Sequence, residues 1–150
     1  MPSIRISQAL KDHTYFVTCT VKNWYHLFDR HNRFHILEDS FVYCQENKNL
    51  KIYAFVFMTN HLHFIGSADD LGAVLRDMKT FLSKAFKQSI LSYEPHVLSI
   101  FEDDGKYQFW EKTNYPKLIE TEGFFRQKIE YIHHNPVRKE YVHFPEDWRW

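Results

Sequence analysis

The sequence lacks three features that would assign it to a broad class at once: an excess of charge of one sign, a long apolar run and a cluster of cysteines. Its 19 basic residues equal its 19 acidic residues, so any nucleic-acid partner would have to be bound by a local patch. No apolar run approaches the roughly 20 residues that span a bilayer. Residues 1–11 carry no signal-peptide core, and we therefore expect a cytoplasmic protein.

Cysteine is scarce, and its placement is informative. Cys19 and Cys44 are isolated within apolar patterns, which favours buried thiols over a disulfide or a metal site. Apolar and aromatic residues are plentiful, at 44% and 18% of the 150 positions. This composition indicates a compact globular protein, and the length predicts one domain over residues 1–150.

Runs of β-branched and aromatic residues predict three strands, after an irregular lead-in over residues 1–13. These strands are expected at 15–21, 50–57 and 61–67. Two further short strands, at 97–101 and 107–110, are expected around a turn at Asp103-Asp104-Gly105.

Apolar residues spaced three and four apart predict three helices. The first is expected at 29–45, the second begins after a cap at Asp69 or Asp70, and the third is expected at 122–135. The second of these helices has the clearest apolar stripe, formed by Leu71, Val74, Leu75, Met78, Phe81, Leu82, Ala85 and Phe86. Pro136 is expected to end the last helix, because a proline disfavours helical geometry in the residue before it.

The succession strand, helix, strand, strand, helix, strand matches a ferredoxin-like α+β fold. We expect an antiparallel sheet covered by helices on one face, with the last helix as an added C-terminal element. The other face of the sheet is expected to be free.

Two histidines separated by one leucine open the strand at 61–67. Side chains alternate between the faces of a strand, so Leu62 should point into the core while His61 and His63 share the opposite face. Two charged imidazoles would repel each other there, whereas two neutral ones can ligate one metal ion. An ordinary hairpin with two surface histidines is the alternative, since the chain has ten histidines.

The outer face of the second predicted helix is basic. Its cations are Arg76, Lys79, Lys84 and Lys87, and no acidic residue occurs from 79 to 92. For any one lysine, a solvated helix face is the simpler interpretation. The absence of acidic residues also fits a surface that binds nucleic-acid phosphates, and we assign these four as candidate DNA-binding residues.

The last predicted helix carries a tyrosine and an asparagine on one face. Tyr131 and Asn135 are four residues apart and therefore neighbours on the helix surface. If this face meets the histidine pair, two imidazoles and one amide oxygen can hold a divalent ion beside a phenol. His134 is three residues from Tyr131, so spacing does not exclude it as the third ligand.

Together these residues resemble the single-tyrosine HUH transposases. The resemblance rests on His61-Leu62-His63 after an apolar strand, and on a late helix that runs from Tyr131 into Asn-Pro-Val-Arg at 135–138. This ending is most similar to the REP-associated tyrosine transposases. The resemblance covers residues 15–150, and its two motifs are specific together and weak apart.

The resemblance implies a ferredoxin-like core, a divalent ion (magnesium or manganese) and cleavage and rejoining of single-stranded DNA through a 5′-phosphotyrosine. Residue by residue, it implies metal ligation by His61 and His63, a third ligand in Asn135 and nucleophilic attack by Tyr131. It also implies single-stranded or hairpin DNA as the partner, and it leaves monomer and homodimer both open.

Two other functions are consistent with the same residues. A non-catalytic protein of this fold would bind single-stranded nucleic acid with its sheet face, its basic helix and aromatics such as Trp24 and Trp110. A metal-dependent hydrolase would use the same ion while Tyr131 serves packing, the commoner role of a lone helix tyrosine. A covalent protein–DNA adduct would distinguish the transposase from both.

Overall fold

The structure of the protein is a computed structural model that describes residues 5–150, so the lead-in prediction for residues 1–4 lies outside it. Its α-helices and strands are, in chain order, β1 (Tyr15–Thr20), α1 (Arg33–Asn47), β2 (Lys51–Phe57), β3 (His61–Ser67), α2 (Leu71–Tyr93), β4 (Glu102–Asp103), β5 (Lys106–Tyr107), β6 (Lys117–Leu118) and α3 (Glu122–Arg138). Among the described residues, no helix is both long and apolar enough to cross a bilayer.

Within residues 5–150, four strands form an antiparallel sheet in the order β2-β3-β1-β6. The central strands β1 and β3 are buried along almost their whole length, whereas the edge strand β2 is partly exposed. With α1 after β1, α2 after β3 and β6 as the last strand, the chain has the ferredoxin-like α+β arrangement that the sequence predicts. Strands β4 and β5 form a separate small hairpin.

The two faces of the sheet bury different residues. On one face, Val17, Cys19, Leu62 and Phe64 belong to the main core, which α1 and α2 complete. This is the helix-covered face expected from the sequence. Both cysteines are free and buried, as their apolar surroundings predict.

The other face is not free, and in this respect the expectation is wrong. Helix α3 packs across part of it, where Ile132 joins Phe16 and Ile65 in a second, smaller core. Phe125 and Ile129 of the same helix lie at the margin of this core, half-buried. The added helix therefore covers apolar residues that would otherwise be exposed, and it brings its tyrosine to the face that carries the histidines.

The predicted strand at 97–101 is wrong, because Pro95–Phe101 is a 3-10 helix. Pro95 at its first turn has the backbone angle that a helix needs and no hydrogen to lose. Val97, Leu98 and Phe101 are buried at a helical spacing. Of the second predicted strand, at 107–110, only Tyr107 is paired within β5, although Trp110 forms an isolated bridge with Val21.

Pro136 does not end the last helix, which continues to Arg138. A proline so close to the C-terminus removes one hydrogen bond without disrupting the turns before it. The chain turns away two residues later at Glu140, whose φ is 62°. The Glu140 amide donates to the Val137 carbonyl at 2.9 Å and the Tyr141 amide to the Pro136 carbonyl at 2.9 Å, the bonding pattern of a Schellman motif.

Helix α2 begins after Asp70, whose side chain accepts a hydrogen bond from the Ala73 amide at 3.1 Å. Its apolar stripe is buried as expected except at Ala85, which is half-buried, and at Phe81. Phe81 has the right spacing but is 54% exposed. Spacing places a side chain on a helix face, but it does not determine how far the neighbouring elements extend over that face.

Candidate active site

His61 and His63 lie side by side at the start of β3, on the face turned away from α1 and α2. In the antiparallel register they lie opposite Thr20 and Thr18 of β1. Their ring centroids are 4.9 Å apart, and the residues are only 7% and 5% exposed. The shared face predicted from strand alternation is present, and the pair is too buried to be an incidental surface feature of a hairpin.

Both rings are held through Nδ1. His63 Nδ1 forms a hydrogen bond with Thr18 Oγ1 at 2.8 Å. His61 Nδ1 lies 2.8 Å from Asn60 Oδ1, and Asn60 Nδ2 donates to the Trp24 carbonyl at 3.0 Å. Because the nitrogen of this amide donates to Trp24, its oxygen accepts, which assigns the hydrogen of neutral His61 to Nδ1. The Nε2 lone pair of His61 is then available to a ligand.

Both imidazoles are neutral at physiological pH. Burial lowers the pKa of His61 to about 4, and the positive charge of Lys139 adds to this effect. Burial also lowers the pKa of His63 to about 3, assisted by His61 and by the charge of Arg138. Metal ligation requires the neutral imidazole, so neither histidine has to lose a proton near pH 7 to bind an ion.

Asn135 of α3 adds a third candidate ligand. The residue is 2% exposed, and its Oδ1 has no hydrogen-bond partner within residues 5–150. The Asn135 side chain opposes the lowering of the His61 pKa, which places it beside that ring. Neutral His61 carries its hydrogen on Nδ1, bonded to Asn60, and has none to donate to Asn135. The lone pairs of His61 Nε2 and Asn135 Oδ1 therefore lie next to each other without a hydrogen between them, an arrangement that a bound cation would satisfy.

Tyr131 lies one helical turn before Asn135 and is 38% exposed. Its ring centroid is 5.3 Å from that of His63, with the planes at 80°. The Arg138 guanidinium lies 4.2 Å from the ring centroid and donates to the Tyr131 carbonyl at 2.8 Å. Lys128 Nζ is 5.2 Å from the same ring. The phenol is thus positioned by packing, accessible to solvent and flanked by two cations.

A cleft of about 840 Å³, lined by these residues, opens beside the histidine pair. Its wall also carries several lysines, at positions 22, 112, 117, 128 and 139. Two acids line it as well, and both are engaged: Asp103 pairs with Lys22 at 3.1 Å, and Glu111 accepts from the Asn23 amide at 3.0 Å. A chain with zero net charge therefore concentrates positive charge at one cleft, which favours a polyanionic ligand.

The donor set of the cleft fits a divalent ion. Within residues 5–150, no group of three His, Cys, Asp or Glu side chains is placed to hold a metal, so an ion here needs an amide oxygen beside the two imidazoles. Asn135 offers that oxygen. His134 is exposed and donates from Nδ1 to the Glu130 carbonyl at 3.1 Å, away from the cleft. The structure therefore brings Asn135, and not His134, to the histidine pair.

The four cations predicted on α2 lie elsewhere. Helix α2 packs on the opposite face of the sheet, and in the described part of the chain none of the four lines the cleft. Lys79 and Lys87 lie over the rings of Trp110 and Tyr107 at 5.7 and 4.9 Å. Arg76 is 3.5 Å from Asp77. The DNA-binding prediction for this helix therefore concerns side chains outside the cleft lining, although Lys79 Nζ donates to the carbonyl of the cleft residue Glu111 at 3.4 Å.

Sequence reasoning missed several residues of the cleft. Lys128 and Arg138 are three positions before and seven after Tyr131, a helical spacing that already places them on its face. Thr18 alternates with the buried Val17 and Cys19, which indicates the polar face of β1. Its contact with a histidine 45 positions away depends on the strand register, which no local pattern in the sequence specifies.

Two solved structures are similar to this one. A REP-associated tyrosine transposase bound to a REP hairpin has a TM-score of 0.77 and 19% identity, over 100% of this chain and 81% of that one. A crystal structure of a protein from Deinococcus radiodurans R1, assigned as a transposase, has a TM-score of 0.51 and 16% identity, over 86% of this chain and 95% of that one.

No protein-family model matches the sequence, and no curated protein matches it significantly. At identities below 20%, the two similar structures establish the fold. The fold resemblance to REP-associated tyrosine transposases, stated from the two sequence motifs, is thereby confirmed.

Proposed function

We propose that this protein is a metal-dependent, single-tyrosine HUH transposase, or a domesticated relative, that cleaves and rejoins single-stranded DNA through a 5′-phosphotyrosine. One observation carries the proposal. The Tyr131 ring lies 5.3 Å from the His63 ring, in a cleft where an imidazole Nε2 and the Asn135 Oδ1 are free to bind a ligand. A tyrosine that only packed would not require buried, unsatisfied hydrogen-bond acceptors next to it.

His61, His63 and Asn135 would hold the ion, magnesium or manganese. When bound, a divalent ion neutralises a phosphate oxygen and makes the phosphorus more electrophilic. Two nitrogen ligands favour manganese over magnesium, the harder ion, at this site. Asn60 and Thr18 would orient the two imidazoles, because each accepts or shares the Nδ1 hydrogen bond.

Tyr131 would be the nucleophile. Its phenol oxygen forms a bond to phosphorus and the bond from phosphorus to the 3′ oxygen of the upstream strand breaks. The phenol proton is released to a base or water, and the departing 3′ oxygen takes up a proton to leave as a hydroxyl. The phosphotyrosine conserves the bond energy, so a later 3′-hydroxyl can attack it and restore the phenol. An ordinary tyrosine has a pKa of about 10 and needs activation. Lys128 and Arg138 supply positive charge beside its ring.

The proposed substrate is a single strand or a hairpin. The lysines of the cleft can track a phosphate backbone, and the similar REP-associated transposase is bound to a REP hairpin. A non-catalytic binder is the second candidate, favoured by the Tyr131 packing against Phe16 at 5.8 Å, which is how a structural tyrosine is held.

The test is Tyr131→Phe, which removes one oxygen and keeps the ring. With a single-stranded substrate and manganese, the wild type should yield a protein–DNA adduct that survives denaturant, and the variant should yield none. Both proteins should fold and bind DNA equally, as checked by circular dichroism and fluorescence anisotropy. An adduct that persists in Tyr131→Phe moves the nucleophile elsewhere, with Tyr107 and Tyr115 the next candidates. Binding by the wild type without an adduct selects the non-catalytic hypothesis.

A further inference from the structure

Trp24 is a large aromatic side chain exposed at the cleft beside the histidine pair. It is 62% exposed and lines the cleft together with His61. Its indole has no ring partner and no hydrogen bond within residues 5–150. Some other exposed rings have a partner, as Tyr93 does in stacking on His31 at 4.4 Å. A single exposed ring does not by itself require a ligand, so its significance depends on where it is held.

The backbone that presents this ring is strained. Asn23 and Trp24 have φ angles of 60° and 57°, two consecutive left-handed residues that both carry side chains. Asparagine tolerates this conformation, whereas a bulky aromatic residue rarely adopts it. Such strain persists only where surrounding contacts enforce it, and it concentrates at sites that bind ligands.

Those contacts are present. The Asn23 amide donates to Glu111 Oε1 at 3.0 Å, and Asn23 Nδ2 donates to the Ile100 carbonyl at 3.2 Å. The Trp24 carbonyl accepts from Asn60 Nδ2 at 3.0 Å, while the oxygen of the same amide holds His61. One side chain thus links the Trp24 turn to a proposed metal ligand. The backbone that carries the indole is therefore held at a fixed position relative to the site where a phosphate would react.

The neighbouring charges identify the kind of ligand. Lys112 and Lys139 are exposed on the wall of the same cleft as Trp24. Cations that follow a backbone, together with an aromatic face on which bases stack, are the two elements with which proteins bind single-stranded nucleic acid. A flat apolar ring among cations fits a nucleobase attached to a phosphate backbone.

We propose that Trp24 is a stacking platform for one nucleobase of the strand bound in the cleft. This inference rests on the proposed function, because it takes single-stranded DNA as the ligand. Stacking is tolerant of sequence, so Trp24 would hold a base next to the reacting phosphate without selecting which base it is.

The test measures binding alone, in the Tyr131→Phe background and without metal, so that nothing is cleaved. Fluorescence anisotropy compares a labelled oligothymidylate with an abasic strand of equal length, over a range of salt concentrations. Trp24→Asn removes the ring and keeps a residue that tolerates the left-handed backbone. It should weaken binding to oligothymidylate by roughly tenfold or more, the loss of one stacked base. It should leave the abasic strand and the salt slope unchanged, since the phosphate contacts remain.

Trp24→Phe, which retains a stacking face, should keep most of the affinity. The matched control is Tyr43→Ala, because Tyr43 is 57% exposed on α1, outside the cleft. Equal binding of oligothymidylate by Trp24→Asn and its parent overturns the proposal, as does an equal loss for the abasic strand. If Trp24→Asn weakens binding of oligothymidylate but the wild type never forms an adduct, the stacking inference holds and the transposase proposal fails. If the wild type forms an adduct but Trp24→Asn binds normally, only the stacking inference fails.

Discussion

Two groups of buried polar side chains lie on opposite sides of the sheet, and they are bonded in opposite ways. The ionic cluster, Arg33 and Glu94, joins the start of α1 to the residue after α2. The histidine cluster, His61, His63 and Asn135, lies on the face that α3 partly covers. All five residues are at least 90% buried, so each group must offset the cost of removing polar atoms from water.

In the ionic cluster the bonds are made within the protein. Arg33 is fully buried and donates to Glu94 Oε1 at 2.8 Å, to Ser89 Oγ at 3.0 Å and to the Leu27 carbonyl at 3.2 Å. Of its three nitrogens, Nη2 is without a partner in the described part of the chain. This pairing serves the fold, because it fixes the ends of two helices.

In the histidine cluster the protein bonds Nδ1 of each ring and leaves the facing atoms unbonded. The Asn135 Oδ1 lacks a partner among the described residues, although the amide lies next to His61. The two clusters differ in a way that distinguishes buried polar groups that stabilise the fold from those that bind a ligand. The ionic cluster uses two of the three Arg33 nitrogens in bonds within the protein, whereas the lone pairs that face one another in the histidine cluster stay available, which is the pattern of a ligand site.

The largest effect expected from this difference is on metal binding. His61→Ala/His63→Ala should abolish binding of manganese in a calorimetric titration, because both imidazole ligands are gone. Manganese should raise the Tm of the wild type by mass action and leave that of the double variant unchanged.

The matched control is His133→Ala/His134→Ala, two exposed histidines beside the site on α3. This pair should retain the wild-type manganese affinity. Equal affinity in wild type and His61→Ala/His63→Ala would remove the histidine cluster from consideration. If manganese affinity is lost in His133→Ala/His134→Ala instead, His134 is a metal ligand.

The second effect is on stability. Arg33→Met should lower the free energy of unfolding by about 3 kcal/mol, because it leaves the Glu94 carboxylate buried without its main partner. Urea unfolding measures this, and manganese affinity should stay unchanged. Arg30→Met is the control: Arg30 is 3.9 Å from Glu94 with a side chain 46% exposed, so its loss should cost under about 1 kcal/mol. Equal costs for the two variants would contradict the assigned role of burial.

The ionic cluster also predicts a pH dependence. Burial alone would raise the pKa of Glu94, but the hydrogen bond and charge of Arg33, with the charge of Arg30, outweigh it and lower the pKa. A carboxyl with a lowered folded pKa stabilises above its unfolded value of about 4.3. That stability is lost as pH falls through the folded pKa. In Arg33→Met, unfolding free energy measured against pH should fall less steeply on the acid side.

The sequence predicted those parts of the site that local periodicity determines. Alternation along β3 places His61 and His63 on one face, and one helical turn separates Tyr131 from Asn135. The approach of these two pairs could not be predicted from spacing, because α3 docks through Ile132 onto apolar residues of the sheet. The resemblance to a family supplied that step, and the fold comparison is consistent with it.

Errors arose where a single residue was given a fixed meaning. Pro136 was expected to end α3, yet a proline near a C-terminus costs little, and the helix continues to Arg138 before the chain turns away at the left-handed Glu140. The stretch at 97–101 is rich in β-branched and apolar residues, yet it folds as a 3-10 helix because Pro95 starts it. In both places the tertiary setting outweighs the local preference.

The smallest expected effects distinguish two basic surfaces, the cleft and the outer face of α2. Lys117→Gln/Lys128→Gln should weaken binding of single-stranded DNA and lower the salt slope by about one for each phosphate that is no longer neutralised. Lys79→Gln/Lys84→Gln should do the same to a lesser degree, because α2 lies on the opposite side of the sheet from the cleft. Neither pair should change sequence preference, since phosphate contacts carry no base information. Anisotropy titrations at several salt concentrations measure both.

If the α2 pair leaves affinity and slope unchanged, the DNA-binding assignment of that helix is wrong and its lysines only solvate the surface. If the α2 pair has the larger effect, the strand does not run through the cleft.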